Sequence, residues 1–152
     1  MKTENSEHLA EIAITYKSKV RPSERQTIKT SQDAFNIMKQ VYDPETIEHH
    51  EQFFVFLVNR ANHVLGFSRL SHGGMTGTVV DVRIVLQLAL KTNACGIILT
   101  HNHPSGQLRP SEQDLSITRK IKEAAKLFDI AVLDHVIMTS ENYYSLADNG
   151  HM

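Results

Sequence analysis

The chain has 152 residues, of which 41% are apolar, and it carries a formal net charge of −1 at pH 7. This length and composition support one folded domain with a hydrophobic core. The near-neutral charge excludes a molecule whose whole surface is basic, as in many proteins that bind polyanions. Local basic patches remain compatible with this net charge. Cys95 is the single cysteine, so an internal disulfide is excluded and a small core residue in a reducing interior is expected.

Targeting signals are not evident in the sequence. No apolar stretch reaches the roughly 18 residues that a membrane-spanning helix needs. The polar residues 1–5 lack the apolar core of a secretion signal. We therefore expect a soluble, cytoplasmic protein without a membrane partner.

Residues 1–45 are predicted to form an N-terminal extension that packs on a domain of residues 46–150. Alternating apolar side chains predict a short strand over residues 11–16. Residues 17–29 then contain five basic residues and one acidic residue, with Pro22 interrupting regular structure. Because aromatic residues are not interleaved with these charges, a solvated linker is favoured over a nucleic-acid-binding arm.

A helix and a polar segment complete the part that precedes the sheet. Ser31 is predicted to cap a helix whose apolar residues recur at helical spacing as far as Val41. The polar residues 48–51 resemble a ligand cluster, but successive strand side chains point to opposite faces. A solvated entry to the next strand is therefore favoured there over a metal site.

Two apolar runs, residues 52–59 and 64–70, predict an antiparallel hairpin with a turn at Ala61 and Asn62. After the break at Gly73 and Gly74, residues 76–80 predict another short strand. Asp81 then suits the cap of a further helix.

Residues 82–92 are apolar nearly all round, which predicts a helix largely buried against the sheet. Asn93 can end this helix in a left-handed conformation. The β-branched, apolar residues 96–100 are typical of a central strand, and His101 follows directly.

Three residues near this strand suit one divalent, zinc-like ion. If the strand conformation persists, His101 and His103 point to the same side while Asn102 points away. Asp114 lies eleven residues beyond His103 and can supply a carboxylate. Two histidines and one carboxylate leave a fourth position for water, as in catalytic zinc sites, and such a water can become a nucleophile.

Ser111 and Asp114 also have a purely structural interpretation. Ser111 can cap a helix that starts near it, and an acidic residue three positions later favours the positive helix end. Taken alone, the pair favours this cap. The two histidines shift the balance, because a carboxylate in the first helical turn can be aimed back at the strand end.

The series His101-x-His103-Pro104, six residues, Ser111, two residues and Asp114 resembles the motif of the JAMM metalloproteases, also called JAB or MPN+. The stretch from His101 to Gly106, with Ser111 after a proline, is similar to the bacterial RadC branch. The resemblance covers roughly residues 51–150 and implies an α/β, cytidine-deaminase-like fold, a mixed curved sheet with helices on its faces. Residues 1–50 show no helix-hairpin-helix region such as many RadC proteins carry, which suggests a stand-alone form.

By this resemblance His101, His103 and Asp114 would be the ligands of one Zn2+ ion, and Ser111 would stabilise the oxyanion. The family's general-base glutamate aligns with Ser68, and a serine cannot take a proton as a carboxylate can at neutral pH. Three alternatives remain. The general base comes from another residue, with Glu51 or Asp134 as candidates; the zinc-bound hydroxide reacts with weaker assistance from the protein; or the domain binds metal and a partner without efficient hydrolysis. Asp134 and His135 can also support the site from the last strand, although a buried, hydrogen-bonded histidine is the commoner case.

The leading hypothesis is a zinc-dependent metallohydrolase, a peptidase or isopeptidase that hydrolyses an amide bond. The alternative is a metal-binding but non-hydrolytic interaction module in DNA repair or mobile-element DNA transactions, motivated by Ser68 and by the basic residues 17–29. A peptide or isopeptide substrate is expected. Association with DNA and assembly into a homo-oligomer stay open.

Overall fold

The computed structural model describes residues 7–72 and 79–152. No helix in these ranges is long and apolar enough to cross a bilayer. A short 3-10 turn at Pro22–Glu24 precedes the regular elements. In chain order these are α1 (Ser31–Met38), β1 (Gln52–Val58), β2 (Val64–His72), α2 (Val82–Lys91), β3 (Gly96–Asn102), α3 (Glu112–Lys126), β4 (Ala131–Met138) and β5 (Tyr143–Ser145).

The five strands form one mixed sheet in the order β2-β1-β3-β4-β5. Strands β3 and β4 are parallel, with α3 as the crossover between them, and the other neighbours are antiparallel. The predicted α/β class with a mixed sheet is therefore confirmed.

The two faces of the sheet carry two hydrophobic clusters, because successive strand residues point to opposite sides. Helix α1 packs on one face against Phe54, Ile98 and Val136. Helices α2 and α3 pack on the other, against Phe53 and Leu99. His101 stacks on Phe53, so it lies at the end of the face that α2 and α3 cover.

Two local predictions in the connecting turns are confirmed. The hairpin joins β1 and β2, and Asn62 adopts a φ of 61° in its turn. Asn93 adopts a φ of 56° just after α2. Both are left-handed positions, which asparagine tolerates because its short side chain can hydrogen-bond locally.

The strand predicted over residues 11–16 is wrong. The structure assigns no strand there, and Ile12 and Ile14 are 91% and 74% exposed. Tyr16 is tied to the sheet, since its hydroxyl donates to the carbonyl oxygen of Leu65 at 2.8 Å. Alternation of apolar residues predicts a strand only where a core covers one side, and the core does not cover Ile12 or Ile14.

The predicted cap of α1 is displaced by one residue. Thr30 accepts a hydrogen bond from the amide of Asp33, and Asp33 accepts one from the amide of Thr30, which forms a capping box. Ser31 is the first helical residue instead, and its hydroxyl bonds to Asp148 and Tyr143. The helix ends at Met38, short of Val41, because the amides of the following turn bond to nearer carbonyls.

Asp81 caps α2 as predicted, but the expected burial of this helix is wrong. Val85 and Ala89 are buried, whereas Ile84 and Leu90 are 40% and 45% exposed. A helix at the side of a single sheet can bury one face only. Of the strand predicted over residues 76–80, residues 76–78 lie outside the described residues, and residues 79 and 80 are not in a strand.

Candidate metal centre

Strand β3 delivers two side chains to opposite sides at its carboxyl end, as the period of two predicts. His101 is almost fully buried on the face of α3. Asn102 points the other way. Its Nδ2 donates to the carbonyl oxygens of Ile47 at 2.7 Å and His50 at 3.0 Å, and its Oδ1 accepts from the amide of Gln52 at 2.7 Å. Asn102 therefore fixes the segment that enters β1 beside the histidines.

His101, His103 and Asp114 meet at one point, as the sequence predicts. The Nε2 atoms of the two histidines are 2.9 Å apart. Oδ1 of Asp114 lies 3.2 Å from Nε2 of His101, and Oδ2 lies 3.3 Å from Nε2 of His103. Zinc bonds of about 2.0–2.2 Å in a tetrahedron separate ligand atoms by roughly 3.3 Å. Two imidazole nitrogens and a carboxylate at these distances fit a zinc ion.

In the first turn of α3, Asp114 takes part in a helix cap and also faces the two histidines. Oγ of Ser111 accepts from the amide of Asp114 at 3.0 Å, and Oδ2 of Asp114 accepts from the amide of Ser111 at 2.8 Å. This capping box orients the carboxylate, and Oδ1 is left facing His101. The cap therefore holds the carboxylate of the candidate metal centre in place.

The cluster shifts the pKa of two of its members. Burial raises the pKa of Asp114, but the adjacent imidazole rings of His101 and His103 outweigh it and hold the pKa well below its usual range. Burial lowers the pKa of His103, but hydrogen bonds to Asp114 and to the carbonyl of Gln107, with the charges of Asp114 and Glu51, raise it overall. Asp114 is therefore ionised at neutral pH, as a metal ligand must be.

Behind the cluster, two residues extend the hydrogen bonding of His101 into the core. Nδ1 of His101 lies 2.7 Å from Nε2 of His135, and Nδ1 of His135 lies 2.6 Å from Oγ1 of Thr118. Full burial lowers the pKa of His135 well below its usual range. Sequence reasoning named His135 and missed Thr118. The available signal was the spacing, because Thr118 lies one helical turn after Asp114 on the face of the buried residues of α3.

The three candidate bases lie in different places. Phe53 is opposite His101 at the end of the antiparallel register of β1 and β3, so a continuation of that register by two residues would place Glu51 opposite His103 on the same face. Ser68 is opposite Val55, which is opposite Leu99. Asp134 is opposite Ile98, on the other face. Its carboxylate accepts from the amides of its neighbour His135 and of Ala147, and from the hydroxyl of Ser145.

Known proteins resemble the chain over most of its length. A family model described as a RadC-like JAB domain matches residues 28–151. A UPF0758 protein of Flavobacterium johnsoniae is 47% identical over 123 residues, which are 81% of this chain and 52% of that protein. A UPF0758 protein of Syntrophomonas wolfei is 37% identical over 128 residues, which are 83% of this chain and 54% of that protein. The chain thus spans about half the length of these curated relatives.

Proposed function

The chain belongs to the RadC-like JAB domain family, and from this premise we propose that it is a zinc-dependent hydrolase that cleaves an amide bond in a peptide or isopeptide. The observation that carries the proposal is the convergence of two histidine nitrogens and a carboxylate, 2.9–3.3 Å apart, at the end of β3. His101, His103 and Asp114 would hold the ion. A zinc ion held there would lower the pKa of a bound water and polarise a carbonyl group.

We assign the general base to Glu51 rather than to Ser68. Residues directly opposite in an antiparallel pair have Cβ atoms about 4.5–5.5 Å apart, and the continued register makes Glu51 the counterpart of His103. The charge of Glu51 also contributes to the raised pKa of His103, which requires the carboxylate to be near that ring. A carboxylate there can take the proton of the attacking water and pass it to the leaving amine.

Ser68 lies too far along the sheet for this role. It is displaced from His101 by two strands, roughly 10 Å, and by two residues, roughly 7 Å. A serine hydroxyl is also a poor proton acceptor at neutral pH. Ser68 on β2 is then a structural residue of the sheet. Although it aligns with the family glutamate, Glu51 can still supply the base.

The hydroxyl of Ser111 is suited to the developing oxyanion. Its oxygen accepts from the amide of Asp114, which fixes its position at the start of α3. Within residues 7–72 and 79–152, its hydrogen has no acceptor. Ser111 can therefore donate to the substrate carbonyl oxygen as negative charge develops there.

The experiment is an amide-cleavage assay with zinc-loaded protein and two probe sets, linear peptides and peptides joined through a lysine side-chain amide. We expect cleavage that chelation abolishes and that Glu51→Gln lowers by about 100-fold or more, with zinc content unchanged. Glu48→Gln is the matched control, because exposed Glu48 bonds to Ser140 and not to the cluster. Equal turnover in Glu51→Gln and wild type would contradict the base assignment, and equal zinc content in His101→Ala would contradict the site.

A second candidate function, a non-hydrolytic module that binds DNA, is favoured by one cavity. Its volume is about 650 Å³, and among the described residues its lining includes Lys17, Lys19, Arg21 and Arg25 and no acidic residue. Nε of Arg25 is buried without a hydrogen-bond partner in the described part of the chain. Phosphate groups would pair with these cations, and affinity would fall steeply with salt. Charge reversal of Lys17, Lys19 and Arg21 should abolish DNA binding, and unchanged binding would exclude this function.

A further inference from the structure

We propose that Thr118 is a positioning residue that fixes, through His135, which ring nitrogen of His101 carries a hydrogen. The inference rests on the metal site of the proposed function and deepens it. Thr118, His135 and His101 form an unbroken hydrogen-bonded chain from helix α3 through strand β4 to strand β3. All three side chains are buried. This chain is called the Thr118 relay below.

The direction of the Thr118 relay follows from its outer end. Oγ1 of Thr118 lies 2.6 Å from the carbonyl oxygen of Asp114 and 2.6 Å from Nδ1 of His135. The hydroxyl has one hydrogen, and a carbonyl oxygen can only accept, so the hydrogen goes to Asp114. Thr118 must then accept from His135, because the reverse arrangement would bring lone pairs of the hydroxyl and the carbonyl together at 2.6 Å.

The middle of the relay fixes the next hydrogen. A neutral imidazole has one N–H, and in His135 it is at Nδ1, so Nε2 accepts. The ring is fully buried, and no carboxylate in the described residues hydrogen-bonds to it, so a charged imidazolium would be strongly disfavoured. Asp134, the neighbouring acid, bonds to backbone amides and to Ser145 instead. The partner of Nε2 at 2.7 Å is Nδ1 of His101, which must donate.

The inner end of the relay prepares His101 to bind a metal. With its hydrogen at Nδ1, neutral His101 presents a bare Nε2 toward His103 and Asp114. Nδ1 of His103 is 2.7 Å from the carbonyl oxygen of Gln107 and donates to it directly. Both ligand histidines are thus oriented by a backbone carbonyl. For His101 that carbonyl belongs to Asp114. Asp114 therefore supplies its carboxylate as a metal ligand, and its backbone carbonyl anchors the Thr118 relay that orients His101.

The first test reads the tautomers in the metal-free wild-type protein. Selective 15N labelling of histidine distinguishes N–H from bare ring nitrogens by NMR, and a His135→Asn variant assigns the signals among the nine histidines. We expect a hydrogen at Nδ1 and a bare Nε2 in His135, and a hydrogen at Nδ1 of His101. A hydrogen at Nε2 of His135 would overturn the proposal, whether or not the protein hydrolyses amides.

The second test separates positioning from stability. Thr118→Val removes the hydroxyl and should weaken zinc binding by about 10–100-fold, as loss of a group supporting a metal ligand typically does. Thr118→Ser keeps the hydroxyl and should restore wild-type affinity. Thr139→Val is the matched control, since buried Thr139 also donates to a carbonyl, that of Asn142, and accepts one hydrogen bond.

We expect Thr139→Val to destabilise the fold without changing zinc affinity, measured by chelator competition. Equal zinc affinities in Thr118→Val and wild type would overturn the proposal. Failure of Thr118→Ser to restore affinity would also overturn it, because the relay needs only the hydroxyl. Absence of amide hydrolysis with these affinities as expected would contradict the proposed function and leave the positioning role intact.

Discussion

Helices α1 and α3 begin with the same hydrogen-bonding arrangement, yet only α3 contributes to the candidate metal centre. In α1 the capping box is formed by Thr30 and Asp33, and in α3 by Ser111 and Asp114. The Asp33 side chain is half-buried, and its Oδ2 accepts from the amides of Lys29 and Thr30. The Asp114 carboxylate uses Oδ2 for its cap and turns Oδ1 to His101.

The difference shows that a capping box is a local device whose further role depends on what lies opposite it. An aspartate at the third helical position is held by the backbone of its own turn in both helices. At α3 the end of β3 brings two histidines against that aspartate. The same four-residue pattern is therefore only a helix start in α1, whereas in α3 it is also part of the candidate metal centre.

The largest expected effect is on metal affinity. Asp114→Asn should weaken zinc binding by more than about 100-fold, because even groups that only support ligands contribute about 10–100-fold. Asp33→Asn, which removes the equivalent carboxylate from α1, should leave zinc affinity unchanged. Chelator competition measures both, and similar affinities in the two variants would erase the distinction between the helices.

The next largest difference is expected between the two capping hydroxyls, those of Ser111 and Thr30, in their effect on hydrolytic activity. Ser111→Ala and Thr30→Ala should each lower the free energy of unfolding by about 1 kcal/mol through loss of the cap. Ser111→Ala should also lower the turnover number by about 100-fold, as loss of one oxyanion donor does. Denaturant unfolding and the amide-cleavage assay give the two quantities, and a Thr30→Ala protein as inactive as Ser111→Ala would refute the role of Ser111.

A smaller difference is expected in how far zinc stabilises the folded protein when Asp33 or Asp114 is replaced. At a free zinc concentration tenfold above its dissociation constant, wild type should gain about 1.4 kcal/mol of folding stability. Asp33→Asn should gain the same amount, whereas Asp114→Asn should gain nothing. Thermal unfolding with and without zinc measures this, and stabilisation of Asp114→Asn would indicate a metal site elsewhere.

The smallest expected effect is the pH dependence of the stability that Asp33 contributes at the start of α1. The pKa of Asp33 is lowered chiefly by the hydrogen bond from the amide of Lys29; burial opposes this shift, and the hydrogen bonds from Thr30 add smaller lowering contributions. Because the folded-state pKa is lowered, the stabilising contribution is complete above the ordinary value of about 4 and declines as the pH falls through the lowered value. The stability difference between wild type and Asp33→Asn should therefore shrink in acid, and a difference that grows would reverse the sign.

Much of the metal centre could be predicted from the sequence because its parts obey local rules. The strand period of two sets His101 and His103 on one side, and the three-residue capping box fixes Ser111 relative to Asp114. The resemblance of the motif to the RadC branch is confirmed by the family match. Residues 11–16 show the limit of such rules, since their alternation is as regular as that of a strand but the core does not cover their apolar side chains.

The sequence by itself determined the candidate ligand set, the cap of α3 and the mixed α/β class, because each depends on side chains close together in the chain or on a motif. Tertiary structure decided which groups surround the two histidines. The charge of Glu51 acts on His103 because two antiparallel strands pair, and Thr118 is connected to His101 through His135 on β4. Pairing between distant segments depends on the packing of the whole sheet, and no local pattern in the sequence specifies it.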